Sequence, residues 1–322
     1  MKKVVRNILL GLIILVFIGV IGISIFTGKA VFDGYTNVVS REETIKNSHE
    51  FKKDYDDLVK NYKLEKIEIE GQDLDHRVPA IFAKREGNKN VAVLVHGMGG
   101  TKETVSPIMK IFLDLGYDVI AYDQRNSGEN MADYNTSGLL ESEDTRAVID
   151  YISPFYKDRN KNGKLILWGE SYGGLTSVIA AGKDETNIDY LILESPVSNG
   201  FDMIEGVMKD ISNKQGIPLE FMIKTGDLYS KAKLGISFSE MDGNEYMKNI
   251  EIPVLIIHSK TDTLTPPYMA ENLYAAKADY KKELITVDGY KHASYPYKDR
   301  EGYKKILEVF LEKYQQADRN QN

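Results

Sequence analysis

Hydrophobic and polar residues alternate along this chain with two different periods. Two early segments, Lys66–Glu70 and Arg77–Lys84, alternate at every second residue, and together they predict an antiparallel pair of strands with one face in a core. Later apolar runs are short and continuous, which is typical of strands buried on both faces. These runs are Val91–Val95, Asp118–Tyr122, Leu165–Trp168, Tyr190–Leu193, Val254–Ile257 and Leu284–Val287.

Helical patterns separate most of the apolar runs. They cover Thr104–Leu115, Glu141–Ile152, Ser171–Ala181 and Pro267–Ala278, and a last amphipathic helix covers about Arg300–Tyr314. This alternation predicts an α/β fold with a mostly parallel eight-stranded sheet and helices on both faces. In such sheets a functional site lies at the carboxyl ends of the strands.

One connection is much longer than a crossover helix requires. About sixty residues separate the strand that ends near Glu194 from the strand that begins near Pro253. The segment predicts a small helical cap over about residues 197–249. Its methionines, among them Met203, Met208 and Met222, could line an apolar pocket or could hold the cap on the body.

The N-terminal segment is apolar. Residues Ile8–Phe26 carry no charge over a length that spans the hydrocarbon core of a bilayer. The preceding positive charges Lys2, Lys3 and Arg6 predict a cytoplasmic N-terminus and an extracellular body, so the expected location is the cell membrane with a single pass. The alternative is a signal peptide that is cleaved near Ala30, which would release a secreted protein.

The domain organisation follows from these segments. We expect a membrane anchor over residues 1–27, a stem over 28–62 and one main domain over 63–318. Within the stem, the spacing of Phe51, Tyr55, Leu58 and Tyr62 predicts a helix with one apolar stripe.

Composition excludes several kinds of chemistry. The chain has 322 residues and no cysteine, so a disulfide framework, a thiolate metal site and a cysteine nucleophile are all excluded. Its net charge is -7 and it has no basic stripe, which argues against nucleic-acid partners. The 5 histidines are scattered along the sequence, so we expect no metal site and no cofactor.

Ser171 is the candidate nucleophile. It lies at the centre of Gly169-Glu170-Ser171-Tyr172-Gly173, which follows a predicted strand and opens a predicted helix. A tight strand-to-helix turn exposes the serine hydroxyl, and the flanking glycines permit close backbone approach. The loop His96–Gly100 follows another strand, so the backbone N–H groups of Met98 and Tyr172 are predicted to form an oxyanion hole.

Asp262 and His292 are the candidate acid and base. Each follows a predicted strand, and the chain order serine, aspartate, histidine is the order found in α/β-hydrolases. His292 would take the proton from Ser171, and Asp262 would orient the imidazole. Glu194 is the rival to Asp262.

The remaining four histidines are predicted to have no catalytic role. His96 is predicted to hold the oxyanion loop in place and His258 to serve a packing role. His49 and His76 lie in polar surroundings and are predicted at the surface.

These motifs resemble the signatures of a known superfamily. His96-Gly97, Asp123-Gln-Arg125-Asn-Ser-Gly128, the Gly169–Gly173 segment, Asp262 with Pro266, and Gly289-x-x-His292 are similar to the successive motifs of α/β-hydrolases. The nearer similarity is to the esterase and serine-aminopeptidase-like branch, including membrane-anchored bacterial members. It covers roughly Leu64–Tyr314. Many relatives have a glycine where this chain has Asn126 and a serine where it has Asn130.

The resemblance implies a serine hydrolase that cleaves a carboxylic ester or related acyl bond in a small-molecule or peptide substrate. A serine peptidase of aminopeptidase type is the alternative within enzymes. A catalytically silent binding protein that keeps the fold is the alternative from another class, but such proteins typically lose the nucleophile, acid or base, and all three candidates are present here.

Overall fold

The computed structural model describes residues 2–71, 74–157 and 163–319. The strands are β1 (Lys63–Glu70), β2 (Arg77–Lys84), β3 (Asn90–Val95), β4 (Tyr117–Tyr122), β5 (Leu165–Glu170), β6 (Tyr190–Glu194), β7 (Val254–Ser259) and β8 (Lys282–Val287). The helices are α1 (Lys2–Thr36), α2 (Arg41–Ser48), α3 (Lys52–Asn61), α4 (Ser106–Asp114), α5 (Glu141–Ile152), α6 (Ser171–Lys183), α7 (Gly200–Gln215), α8 (Leu219–Leu234), α9 (Gly243–Met247), α10 (Tyr268–Ala276), α11 (Tyr295–Lys298) and α12 (Arg300–Arg319).

The strands form one sheet in the order β1-β2-β4-β3-β5-β6-β7-β8. Strand β2 pairs antiparallel with both β1 and β4, and the other neighbours are parallel. The predicted eight-stranded, mostly parallel sheet is therefore confirmed. Because strand order reverses around β3, the carboxyl ends of the central strands open onto one edge where a site can form.

Strand β5 shows why its run is apolar without interruption. Ile166 and Trp168 contribute to the hydrophobic core on one face of the sheet, and Leu165 and Leu167 contribute to the core on the other face. Successive side chains of a strand point to opposite faces, so a strand covered on both faces needs an apolar residue at every position.

Helices cover both faces. Phe112 of α4 and Phe310 of α12 belong to the first core, whereas Val148 of α5 and Val178 of α6 belong to the second. The layers therefore match the α/β architecture that the hydrophobic pattern predicts.

The described chain divides into two compact units. One unit joins the N-terminal helix to Phe201–Glu240, and the other contains Val39–Gly200 together with the chain from Met241 onward. The whole sheet lies in the second unit. The segment between β6 and β7 is helical, as its pattern predicts, while the boundaries proposed for the anchor, stem and cap remain predictions.

Helix α1 is long and apolar enough to cross a membrane. It continues without a break to Thr36, so no break in the helix marks the boundary predicted at residue 27. The stem contains the predicted amphipathic helix as α3, on which Leu58 is buried.

Candidate active site

Ser171 lies at the junction of β5 and α6, at the carboxyl end of a central strand. Its φ is 54°, in the left-handed region that residues with a side chain rarely adopt. The flanking glycines make the turn possible. A Cβ on Gly169 would lie 2.3 Å from the carbonyl oxygen of Gly173, and a Cβ on Gly173 would lie 2.3 Å from that of Val95.

His292 lies between Ser171 and Asp262 and contacts both. Its Nε2 lies 2.8 Å from Ser171 Oγ, and its Nδ1 lies 2.8 Å from Asp262 Oδ2. The three residues come from loops after β5, β7 and β8, and they meet because the carboxyl ends of parallel strands share one edge of the sheet. The structure thus brings all three side chains together in one hydrogen-bonded row.

Asp262 is held as a hydrogen-bond acceptor. Its Oδ1 accepts from the backbone N–H groups of Leu264 at 2.9 Å and Thr265 at 3.0 Å. Burial raises the pKa of Asp262, but the hydrogen bond and charge of His292 and the Thr265 donors outweigh burial, so the pKa lies below its ordinary value. The carboxylate is therefore ionised at neutral pH.

Thr265 is a site residue that the sequence reasoning missed. Its Oγ1 lies 3.0 Å from Asp262 Oδ2 and 3.0 Å from His292 Nδ1, and it is 3.2 Å from the Ser195 carbonyl oxygen. A threonine three residues after an aspartate is a common turn pattern, in which the aspartate accepts backbone N–H bonds. That pattern was a usable signal in the sequence.

The loop that carries Met98 lies beside the serine. A Cβ on Gly97 would be 3.4 Å from Ser171 Cβ, which places the backbone after β3 against the β5–α6 turn. Tyr172 is the second residue of α6, and the first four N–H groups of a helix lack intrahelical acceptors. The residue before Met98 therefore lies against Ser171, and the oxyanion hole formed by the Met98 and Tyr172 amides stays a prediction.

His96 and His258 are buried within the protein. The ring of His96 accepts from Gln124 N–H at Nε2 over 3.1 Å, and its Nδ1 lies 2.8 Å from the Gly97 carbonyl oxygen. Burial lowers the pKa of His96 to about 4, so the ring is neutral and links the oxyanion loop to the segment after β4. His258 Nε2 lies 2.8 Å from the Thr265 carbonyl oxygen. His96 is buried against the loop that it is predicted to hold, whereas His258 Nε2 also lies 3.8 Å from Asp262 Oδ2, and its packing role stays a prediction.

His76 differs from its prediction. Only 10% of its side chain is exposed, and its Nε2 lies 3.2 Å from Asp144 Oδ2. Asp144 is fully buried on α5, and its hydrogen bond raises the pKa of His76 above its ordinary value. The predicted surface position is wrong for His76 because a buried carboxylate far away in the sequence draws the ring inward.

Two glutamates lie beneath the site. Glu194 ends β6 and accepts from Ser195 Oγ at 3.3 Å, whereas it is Asp262 that accepts the hydrogen bond of His292 Nδ1. Glu170 precedes the serine and accepts from the Tyr297 hydroxyl at 2.9 Å. Burial raises the pKa of Glu170 to about 6, and burial together with the Glu170 charge raises the pKa of Glu194 well above its ordinary value.

No group of three or more histidine, aspartate or glutamate side chains in the described ranges is arranged to hold a metal ion. A hydroxyl, an imidazole and a carboxylate in one hydrogen-bonded row can move the hydroxyl proton to the imidazole while the carboxylate stays ionised.

One family model and several known proteins are similar to this chain in sequence. A family model described as alpha/beta hydrolase fold matches residues 90–224. The Bacillus subtilis protein YqkD, whose function is uncharacterised, is 29% identical over 69% of this chain and 71% of its own length. The rat lysophosphatidylserine lipase ABHD12 is 26% identical over 74% of this chain, and the match spans 63% of the rat protein, which is less than two thirds.

A solved structure agrees in architecture. The Pyrococcus furiosus esterase Pf2001 superposes with a TM-score of 0.62 at 21% identity, covering 80% of this chain and 94% of the esterase. At that identity the similarity shows the fold alone. Together with the family model and the eight-stranded sheet, it leads to one conclusion: this chain has the α/β-hydrolase fold.

Proposed function

We propose that this hydrolase-fold protein is a serine hydrolase that cleaves a carboxylic ester or a related acyl bond. The observation that carries the proposal is the row of side chains in which His292 lies 2.8 Å from Ser171 Oγ and 2.8 Å from Asp262 Oδ2. The left-handed φ of Ser171, which is typical of an exposed nucleophile on a strained turn, supports it.

The proposed mechanism uses side chains and backbone of this chain alone. Ser171 Oγ attacks the acyl carbonyl while His292 Nε2 takes its proton and then returns it to the leaving group. The N–H groups of Met98 and Tyr172 stabilise the oxyanion. Water, deprotonated by His292, then attacks the acyl-enzyme, and His292 returns the proton to Ser171 Oγ as the Oγ–acyl bond breaks and the acid is released.

Asp262 has an electrostatic role in this scheme. Its lowered pKa keeps the carboxylate charged, so that it stabilises the imidazolium that forms on His292 and holds the ring in one tautomer. Thr265 would keep the carboxylate oriented toward the ring, because its hydroxyl lies between the two groups.

The substrate class is an ester with an apolar acyl chain. The relatives include a lysophosphatidylserine lipase, and helix α1 offers a membrane anchor close to where lipid esters reside. We therefore take a monoacyl phospholipid as the first substrate to test. A peptide substrate is the alternative, and matched ester and amide compounds with the same acyl group separate the two by which bond is cleaved.

The decisive experiment is covalent labelling by a fluorophosphonate probe. Full-length wild-type protein in detergent should label at Ser171, and Ser171→Ala and His292→Ala should lose labelling and ester hydrolysis by about 10⁴-fold or more. The half-buried Ser48, which lies on α2, supplies the control variant Ser48→Ala, and this variant should label like wild type.

Two labelling results would contradict Ser171 as the nucleophile. Thermal unfolding monitored by circular dichroism first shows that each variant is folded. A folded wild type that does not label, or a Ser171→Ala protein that labels as well as wild type, would exclude Ser171 as the nucleophile.

A further inference from the structure

The first compact unit contains a close helix–helix contact between α1 and α8. Gly28 and Gly226 are both at the contact. A Cβ on Gly28 would lie 2.5 Å from the Thr225 carbonyl oxygen, and a Cβ on Gly226 would lie 2.5 Å from Val31 Cγ1. Small residues on both sides let the two backbones approach closely, as they do in helix pairs within membranes.

Larger side chains of α1 complete this contact. Phe32 packs against Tyr229 with ring centroids 5.4 Å apart, and the Tyr35 hydroxyl lies 2.6 Å from Ser230 Oγ in the interior. Phe238 packs edge-on against Tyr35 at 5.5 Å. The end of α1 is therefore an integral part of this unit and is more than a flexible tether.

The contacts also define the relative direction of the two helices. Residue numbers rise together along them, from Gly28 with Thr225 to Tyr35 with Ser230. Helices α1 and α8 therefore run in the same direction, and α8 begins on the side of the contact toward the apolar stretch. Leu219 precedes Thr225 by six residues, which is about 9 Å along a helix axis. This distance places Leu219 beside the last turns of the apolar stretch that ends at Phe26.

The residues at that level have the composition of a membrane-surface segment. Ile217, Leu219, Phe221 and Ile223 are each half-buried, so part of each apolar side chain faces outward. Lys214 precedes this run, and the exposed Lys224, which pairs with Glu220 of the run at 2.7 Å, follows it. Apolar residues bordered by lysines suit the boundary between acyl chains and phosphate headgroups.

We propose that residues 217–223, the tip of the helical insert between β6 and β7 and here called the insert tip, dock into the headgroup region of the membrane that α1 crosses. The partner is the lipid surface itself, because the insert tip lies beside the exposed apolar part of α1. Leu15 in that part is 66% exposed, and the described side chains from Lys3 to Phe26 are exposed except for Ser24. The inference rests on the proposed membrane anchor, and it makes the insert a second point of membrane contact.

The test uses the absence of cysteine from the chain. An environment-sensitive fluorophore is attached to the single-cysteine variants Leu219→Cys, Leu15→Cys and Tyr280→Cys of the full-length protein in phosphatidylcholine vesicles that contain spin-labelled lipids. Tyr280, which is 86% exposed between α10 and β8, is the control in the second unit. Thermal unfolding monitored by circular dichroism shows that each labelled protein is folded.

We expect acyl-chain spin labels to quench the Leu15 label, headgroup or shallow spin labels to quench the Leu219 label, and neither to quench the Tyr280 label. Quenching at Leu15 without quenching at Leu219 would overturn the inference and leave the anchor in place. Shielding of the Leu219 label from aqueous iodide without lipid quenching would show that a protein surface covers the tip, which also overturns it. No quenching at Leu15 would refute the anchor and the inference together.

Discussion

Glu170 is a buried acid next to the proposed nucleophile. Its carboxyl group is close enough to His292 for the charges to interact, and its pKa is raised to about 6 by burial. Glu194 and Asp262 lie in the same region, so three carboxyl groups share a site where charge is costly. Asp262 stays ionised because it has several hydrogen-bond donors, whereas the two glutamates are poorly compensated. At the residue scale, hydrogen bonding therefore decides which carboxyl group carries the charge.

Replacing Glu170 with glutamine should change how stability depends on pH. Because the folded pKa of about 6 exceeds the ordinary value of 4.5, the folded state favours the protonated acid. This contribution is fully present below pH 4.5 and is lost as the pH rises through 6. Between pH 4.5 and 7.5 the wild type should therefore lose about 2 kcal/mol relative to Glu170→Gln.

Urea unfolding of the detergent-solubilised chain at these two pH values measures the difference. The exposed variant Glu50→Gln serves as the control for loss of one acidic side chain. A stability difference between Glu170→Gln and wild type that does not change with pH would contradict a raised pKa at Glu170.

The junction of β5 and α6 shows what an element contributes beyond its residue types. Strand β5 is buried on both faces and is paired on both sides, so its end is rigidly placed. Helix α6 begins at Ser171 itself, and the N–H groups of its first turn lack acceptors within the helix, so under the proposed mechanism they favour negative charge at this end. The glycines at 169 and 173 are needed because neighbouring backbone lies where a Cβ would be.

Gly173→Ala should therefore destabilise the protein and reduce activity. The added Cβ would lie 2.3 Å from the Val95 carbonyl oxygen, and the backbone shift that relieves this clash should cost about 1–3 kcal/mol. Gly206→Ala is the matched control, since a Cβ there meets nothing within 4 Å in helix α7 and should stabilise the protein by about 0.5–1 kcal/mol.

Chemical denaturation and ester hydrolysis measure both variants. Equal effects of the two substitutions on stability would show that the close approach at Gly173 does not constrain the turn.

For the whole molecule, the proposed arrangement is a cytoplasmic N-terminus, one membrane-spanning helix and an extracellular hydrolase domain. The positive charges before the apolar stretch predict this orientation. Helix α1 continues to Thr36 and packs on α8, and both observations argue against the alternative of a cleaved, secreted form. Cleavage near Ala30 would cut inside a helix whose following residues are held by the insert, so we expect the chain to stay intact.

An impermeant maleimide tests this topology in intact bacterial cells that express the chain. Tyr280→Cys should react before lysis as fully as after it, whereas Lys3→Cys should react only after lysis. The purified protein should have the mass of all 322 residues. Recovery of a shorter, labelled protein from the medium would support cleavage instead, and reaction of Lys3→Cys before lysis would reverse the orientation.

The periodic pattern was sufficient for the sheet because each strand is defined by local neighbours. Runs such as Leu165–Trp168 are apolar at every position because both faces are covered, and that property is visible without coordinates. The order of Ser171, Asp262 and His292 along the chain, each after a strand, was likewise sufficient to predict that they meet at one edge of the sheet.

Contacts between distant segments could not be predicted in the same way. The burial of His76 depends on Asp144. The acidic region beneath the site depends on how Glu170 and Glu194 approach each other. The hydroxyl of Thr265 has partners that lie in three loops. The sequence alone thus determined the strand and helix pattern, the candidate nucleophile, base and acid, and the apolar N-terminal helix, because periodicity and motif order are local properties. Tertiary structure alone decided the carboxyl environment, the glycine contacts and the packing of α1 on the insert, because these depend on distances between residues far apart in the chain.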